Sequence, residues 1–155
     1  MYAVSSTHVT LGVQNCRSCR NKMMDIKDMV IEEDIDILFL TETWFKKGDK
    51  KSGLVNNLKP PGYEIKSFPR KIRSGGGVGF IMKNIYWKCT DTVEELKFKT
   101  FESVQITLMM SDKKMCIVSI YEPPRSEKYL FSDNDFLDEF CILLVDIQQI
   151  FHTLL

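Results

Sequence analysis

The chain has 155 residues, enough for one domain with a sizeable core. Hydrophobic residues make up 44% and charged residues 27%, a soluble globular balance, and no apolar run approaches the roughly 20 residues that span a bilayer. Basic and acidic residues are equal at 21 each, so the formal net charge of +0 argues against indiscriminate binding to nucleic acid.

The opening MYAVSSTHVTLGV has neither a basic region nor a cleavage site, so secretion is not expected. Five cysteines without a secretory signal then point to reduced thiols and an intracellular location, nucleus or cytoplasm, with no membrane partner. Residues 8–15 (HVTLGVQN) set Val9, Leu11 and Val13 against Thr10, Gly12 and Gln14, the alternation of a half-buried strand that ends in Asn15. Cys16 and Cys19 form a C-x-x-C pair, but no second pair follows, and core or surface thiols are favoured over four-ligand zinc. Ser18 can cap a helix running to about Glu33, with Met23, Ile26, Met29 and Val30 on one face.

Residues 35–44 (IDILFLTETW) are the centre of the chain. Ile35, Ile37, Leu38, Phe39 and Leu40 form a nearly continuous apolar run, the signature of a strand buried on both faces. Strand, helix and strand make a compact α/β unit with parallel strands, so Asn15 and Glu42 are expected at the same end of the sheet. A carboxylate at a strand tip is held rigidly where open α/β sheets place their ligand sites; the alternative is that Glu42 merely ends the strand and faces water.

Residues 45–62, lysine-rich and closed by Pro60, Pro61 and Gly62, read as a long surface loop. From Lys46 to Arg73 nine lysines and arginines face only Asp49 and Glu64, whereas residues 122–146 are acidic. Lys46, Lys47, Arg70, Lys71 and Arg73 could hold a phosphate backbone, or belong to a solvated loop. Residues 63–68 read as a short strand. Residues 74–79 (SGGGVG) lack the spacing of a phosphate-cradling loop and read as a flexible turn entering a strand at Phe80. Residues 86–92 read as a further strand. Residues 101–110 and 114–121 flank a polar turn as a hairpin, whose second strand ends at Tyr121 before two prolines. Ser132 and Asp135 open an amphipathic helix carrying Phe136, Leu137, Phe140, Leu143, Leu144, Ile147 and Ile150. His8 reads as an ordinary strand residue and His152 as tail.

Three strands ending in Asn15, Glu42 and Tyr121, with a basic loop and a glycine-rich turn between them, form a recognisable order. The sequence resembles the exonuclease–endonuclease–phosphatase superfamily, and within it the apurinic-endonuclease-like domain that opens the polyproteins of non-long-terminal-repeat (LINE-type) retrotransposons. The stretches that carry the resemblance are VQNCRS, DILFLTETWF, PPGY, RSGGGVGF, FES, SIYEPPR and FLDEF. The resemblance implies an α/β fold, an incomplete two-sheet sandwich flanked by helices over residues 7–148, with 149–155 as an unrelated tail. It implies a magnesium-dependent phosphodiesterase acting on DNA, and a reverse transcriptase as neighbour in a parent polyprotein. Glu42 matches the metal-binding carboxylate, Asn15 the amide that helps position the metal, and Tyr121 the hydroxyl that contacts the scissile phosphate.

The family's Gly-Asp-x-Asn and terminal Asp-His motifs are not found, so the chain alone is expected to be catalytically incomplete. Truncation, a spliced-in end or a degenerate element copy would each account for this. Asp146 could be forced onto the first missing motif, but the apolar spacing runs through it at helical period. The other reading is a non-catalytic module that binds nucleic acid or protein through residues 46–73.

Overall fold

The computed structural model describes residues 8–50, 53–70, 75–110, 113–124 and 130–152. The first sheet contains β1 (Leu11–Asn15), β2 (Ile37–Thr41), β3 (Tyr63–Phe68) and β4 (Val78–Lys83), in the order β1-β2-β4-β3. Helix α1 (Met23–Glu32) joins β1 to β2, which are parallel, as expected; β4 runs antiparallel to both its neighbours. A helical turn, α2 (Asn84–Trp87), leads into an antiparallel sheet of β5 (Thr90–Lys97), β6 (Glu102–Met110) and β7 (Lys113–Tyr121). Helix α3 (Asp133–His152) follows.

The apolar run of β2 is continuous because both of its faces are covered. Ile37 and Phe39 join Val78, Phe80 and Met82 of β4 and Val104, Ile106 and Leu108 of β6 in the layer between the sheets. Leu38 and Leu40 join Ile26 and Val30 of α1, with Leu58 and Ile81, in a second layer. Each such buried side chain contributes about 1.5–3 kcal/mol. The result is the two-sheet sandwich with helices that the sequence led us to expect.

Four local expectations change. Ser18 does not cap α1: residues 16–19 are tied to the end of β2 through Cys16 N–H to Thr41 O (2.9 Å), Ser18 N–H to Glu42 O (2.8 Å) and Cys19 N–H to Thr43 O (3.0 Å). The helix therefore starts at Met23, with no side-chain cap. The loop after β2 is not all surface, because Phe45, Val55 and Leu58 are buried in the layer beneath α1. Residues 86–92 are not one strand; α2 buries Tyr86, and pairing begins only at Thr90. Leu11 and Val13 are 49% and 70% exposed, since β1 is an edge strand paired only with β2 among the described residues.

The α3 start is as read: the Asp135 N–H donates to Ser132 Oγ (3.1 Å), and Ser132 donates back to Asp135 Oδ2 from both N and Oγ (2.7 Å). One turn on, the Glu139 carboxylate accepts from Lys99 N (2.9 Å), Thr100 N (2.9 Å) and Thr100 Oγ1 (2.8 Å). Phe136 packs edge-on against Phe101, and Leu143 is buried. Leu137, Ile142, Leu144 and Val145 remain about half exposed, so only part of the apolar stripe reaches the sheet.

Burial opposes ionisation of Glu139, but the bonds from Thr100 and Lys99 outweigh it and hold the carboxyl below its usual value. A value depressed by folding means that the contact is at full strength above the ordinary glutamate range and is lost as pH falls through the lowered value. Glu139→Gln is accordingly expected to cost about 1–3 kcal/mol at neutral pH. Urea unfolding at stepped pH should show the gap to wild type closing towards acid. A gap that persists unchanged in acid would mean that the carboxylate does not anchor α3.

Candidate active site

Parallel pairing sets Asn15 opposite Thr41, so the chain leaves β1 and β2 at one end of the sheet. Beyond Thr41 the backbone makes an unusual turn. Glu42 and Trp44 have φ of 49° and 55°, a left-handed conformation that costs an L-residue about 1–2 kcal/mol. Neighbours on both sides hold it there. Residues 18 and 19 bond to the carbonyls of Glu42 and Thr43, while Thr43 N–H reaches Gly77 O (3.1 Å) and Trp44 N–H reaches Gly76 O (2.8 Å).

The other half of the site comes from the second sheet. The Tyr121 hydroxyl, at the end of β7, donates to Glu42 Oε1. Burial, then this bond to the carboxylate, pushes the phenol well above its ordinary value, so it is a proton donor throughout the neutral range. Directly opposite Tyr121 in the β6–β7 register stands Glu102. It forms an ion pair with Arg70 Nε and accepts from Gly77 N–H (2.9 Å). Arg70 and Glu102 both lie within electrostatic reach of the Tyr121 phenol, the first lowering and the second raising its value. Gly76 and Gly77 are required here: both have positive φ, and a Cβ on Gly76 would run into the Arg70 guanidinium.

Glu42 and Tyr121 thus meet, although they lie in different sheets. Asn15 is exposed at the same end, and its Oδ1 accepts from Arg17 N–H (3.2 Å); no bond joins it to Glu42 among the described residues. Lys46 and Lys47 are exposed just past Trp44. Arg70 is turned inward onto Glu102. Lys71 and Arg73 lie outside the described residues. Asp146 lines a cleft of about 320 Å³ with Glu94, Leu96, Phe98 and Gln105, on the α3 side of the second sheet. Cys16 and Cys19 are fully buried just after Asn15; a hydrogen bond from Cys19 lowers the Cys16 thiol and raises its own.

Sequence reasoning used FES only as a resemblance and gave Glu102 no role. The available signal was an acid at the mouth of the alternating stretch Val104-Gln105-Ile106-Thr107-Leu108. The glycine run expected as a flexible turn is instead a fixed support: the carbonyls of Gly76 and Gly77 hold the backbone at Thr43 and Trp44.

No protein-family model matches the sequence, and no curated protein matches it. Solved structures do. TDP2 from Caenorhabditis elegans superposes with a TM-score of 0.63 at 14% identity, over 94% of this chain and 44% of that one. A truncated form of C. elegans TDP2 gives 0.60 at 11%, over 93% and 55%. The AP endonuclease LMAP from Leishmania major gives 0.58 at 15%, over 73% and 40%. These neighbours are members of the exonuclease–endonuclease–phosphatase superfamily, and the likeness establishes that fold for this chain. The chain spans only about half of their length, or less.

Proposed function

We propose that this chain is part of a magnesium-dependent phosphodiesterase acting on DNA, of the kind that opens the polyproteins of non-LTR retrotransposons, and that alone it is catalytically incomplete. The observation that carries this reading is the hydrogen bond from Tyr121 to Glu42 across the two sheets. It places an acid and a phenolic donor at one point on the rim. The seven stretches that carry the sequence resemblance supply the retrotransposon part of the reading, including a reverse transcriptase as neighbour in a parent polyprotein.

Glu42 is the carboxylate that would hold a magnesium ion, with the Asn15 amide oxygen at the same end of the sheet. Magnesium is commonly bound through one or two carboxylates, with water and substrate phosphate completing its shell, and this sparse donor set fits that habit. When bound, the ion would polarise the phosphoryl group and neutralise charge developing on the leaving oxygen. Tyr121, neutral and rigidly placed, can give its proton's hydrogen bond to a nonbridging phosphate oxygen once that oxygen displaces Glu42 as acceptor.

The reading of incompleteness is supported by the absence of the Gly-Asp-x-Asn and Asp-His motifs, which in the resembled family position the attacking water and supply the base. Glu102 is held by Arg70 and the Gly77 amide, and Glu42 accepts from Tyr121. A general base ordinarily contributes about 100- to 10,000-fold.

The test is supercoiled-plasmid nicking with magnesium, run beside duplex affinity with and without the ion. We expect nicking near background, and a magnesium-stimulated affinity that falls at least about tenfold in Glu42→Ala. Robust nicking that Glu42→Ala abolishes would overturn incompleteness. Magnesium stimulation that survives Glu42→Ala would remove Glu42 as the metal carboxylate.

A second reading, a non-catalytic nucleic-acid-binding module, is favoured by the exposure of Lys46, Lys47 and Lys50 beside the site. Its mark would be a salt dependence of duplex affinity that flattens when these lysines are neutralised, with no dependence on Glu42.

A further inference from the structure

Trp44 is 45% exposed, two residues beyond Glu42, and its position is imposed. Its neighbours Thr43 and Phe45 are 0% and 4% exposed and clamp the backbone on both sides. Its own φ of 55° is held by the bond from its N–H to Gly76 O. The pyrrole part of the indole rests against Gly75, where a Cβ would lie 3.4 Å from Nε1, 3.6 Å from Cε2 and 3.8 Å from Cδ1. The ring is therefore seated on bare backbone, with nearly half of the residue facing solvent.

A lone exposed aromatic side chain is ordinary on a protein surface. Here the backbone is strained to present it, beside a carboxylate–phenol pair and just before Lys46 and Lys47. A π-face next to cations on the approach to a phosphate site is the arrangement that binds unpaired nucleotides. Bases within a duplex are already stacked on one another, so a seat of this kind takes a base that has left the helix or has no partner.

We infer that Trp44 is the stacking platform for an unpaired nucleobase next to the phosphate addressed by Glu42 and Tyr121. The inference rests on the DNA reading above and narrows its substrate class to DNA with an unpaired base at the scissile position. Because the indole is held before any ligand arrives, little side-chain freedom is lost on stacking.

The experiment measures the affinity of the full chain for two labelled single-stranded oligonucleotides of equal length, one bearing bases throughout and one abasic over its central residues. Wild type is expected to favour the base-bearing strand about tenfold. Trp44→Ala should lose that preference while keeping its affinity for the abasic strand, and Trp44→Phe should retain most of it. Thermal melting shows whether the variants are folded; if the alanine variant melts early, the phenylalanine variant decides, since a folded Trp44→Phe without the preference would overturn the platform. Equal affinity of wild type for the two strands, or a preference unchanged in Trp44→Ala, would overturn the platform while leaving the DNA reading standing. Binding to neither strand would overturn the platform, while the duplex affinity described above decides the DNA reading separately.

Discussion

Asp36→Ala is expected to lower stability by about 2–4 kcal/mol, for a buried amide left without its acceptor and a lysine that loses one of its two carboxylates. Asp36 is 9% exposed and sits where β1, β2 and β4 converge, at the end of the sheet away from Glu42. Its Oδ1 pairs with Lys83 Nζ at 2.8 Å, and its Oδ2 accepts from Thr10 N (2.8 Å) and the Tyr86 hydroxyl (3.5 Å). Alanine strips the partner from the Thr10 amide and halves the counter-charge on Lys83, which keeps Asp34 Oδ1 at 2.7 Å. Burial works against the Lys83 charge, yet the bonds to Asp34 and Asp36 outweigh it and raise the amine above its ordinary value. A raised lysine stabilises fully below the ordinary lysine range and loses that contribution only as pH climbs through the raised value. Chemical denaturation at neutral pH should therefore report the whole loss. The double variant with Lys83→Met should lose less than the two single losses together, because the ammonium deprived of one carboxylate is gone. Additive losses would mean that the pair contributes nothing.

Gly77→Ala is expected to cost about 2–4 kcal/mol, from left-handed strain plus overpacking. Gly77 has φ of 87°, and a Cβ there would lie 2.9 Å from Thr43 Oγ1, 3.2 Å from Phe68 O and 3.4 Å from Arg70 N. Two of those atoms are backbone and cannot rotate away. The loss extends beyond stability, because Gly77 N–H binds Glu102 and Gly77 O receives Thr43 N–H. Displacing it should loosen the seat of Trp44, seen as a shift of tryptophan emission towards that of a solvated indole before global unfolding. Wild-type melting and unchanged emission in this variant would show that the glycine run is a pliable turn and not a rigid part of the site.

The two predictions concern opposite ends of one sheet, and together they describe how it works. Asp36 and Lys83 fix how β1, β2 and β4 meet, and the rigid β2 delivers Glu42 to the other end. There the glycine run and Glu102 hold the turn against the second sheet, which brings Tyr121.

Much of this was legible locally. The run at residues 37–40 (ILFL) announces a strand covered on both faces, because no polar position interrupts it. The hairpin of β6 and β7 and the Ser132–Asp135 cap are likewise short-range chemistry. The strand expected at residues 86–92 fails at its start: an aromatic, β-branched stretch favours strand locally, whereas burial of Tyr86 between the sheets and a bond from its hydroxyl to His8 O (3.3 Å) favour a helical turn. Ser18 fails as a cap for a similar reason: a good capping residue is drawn into a bond with the end of β2.

By itself the sequence determined most of the strands and the two long helices, that β1 and β2 run parallel, and that Asn15 and Glu42 lie at one end of the sheet, since period and turn chemistry act over a few residues. Only the tertiary structure decided that Glu42 pairs with Tyr121, that Glu102 and Arg70 brace the glycine run, and that Trp44 stands open. Each of those contacts joins segments far apart in the chain. Their geometry exists only once two sheets have packed and the cost of closing the intervening chain has been met.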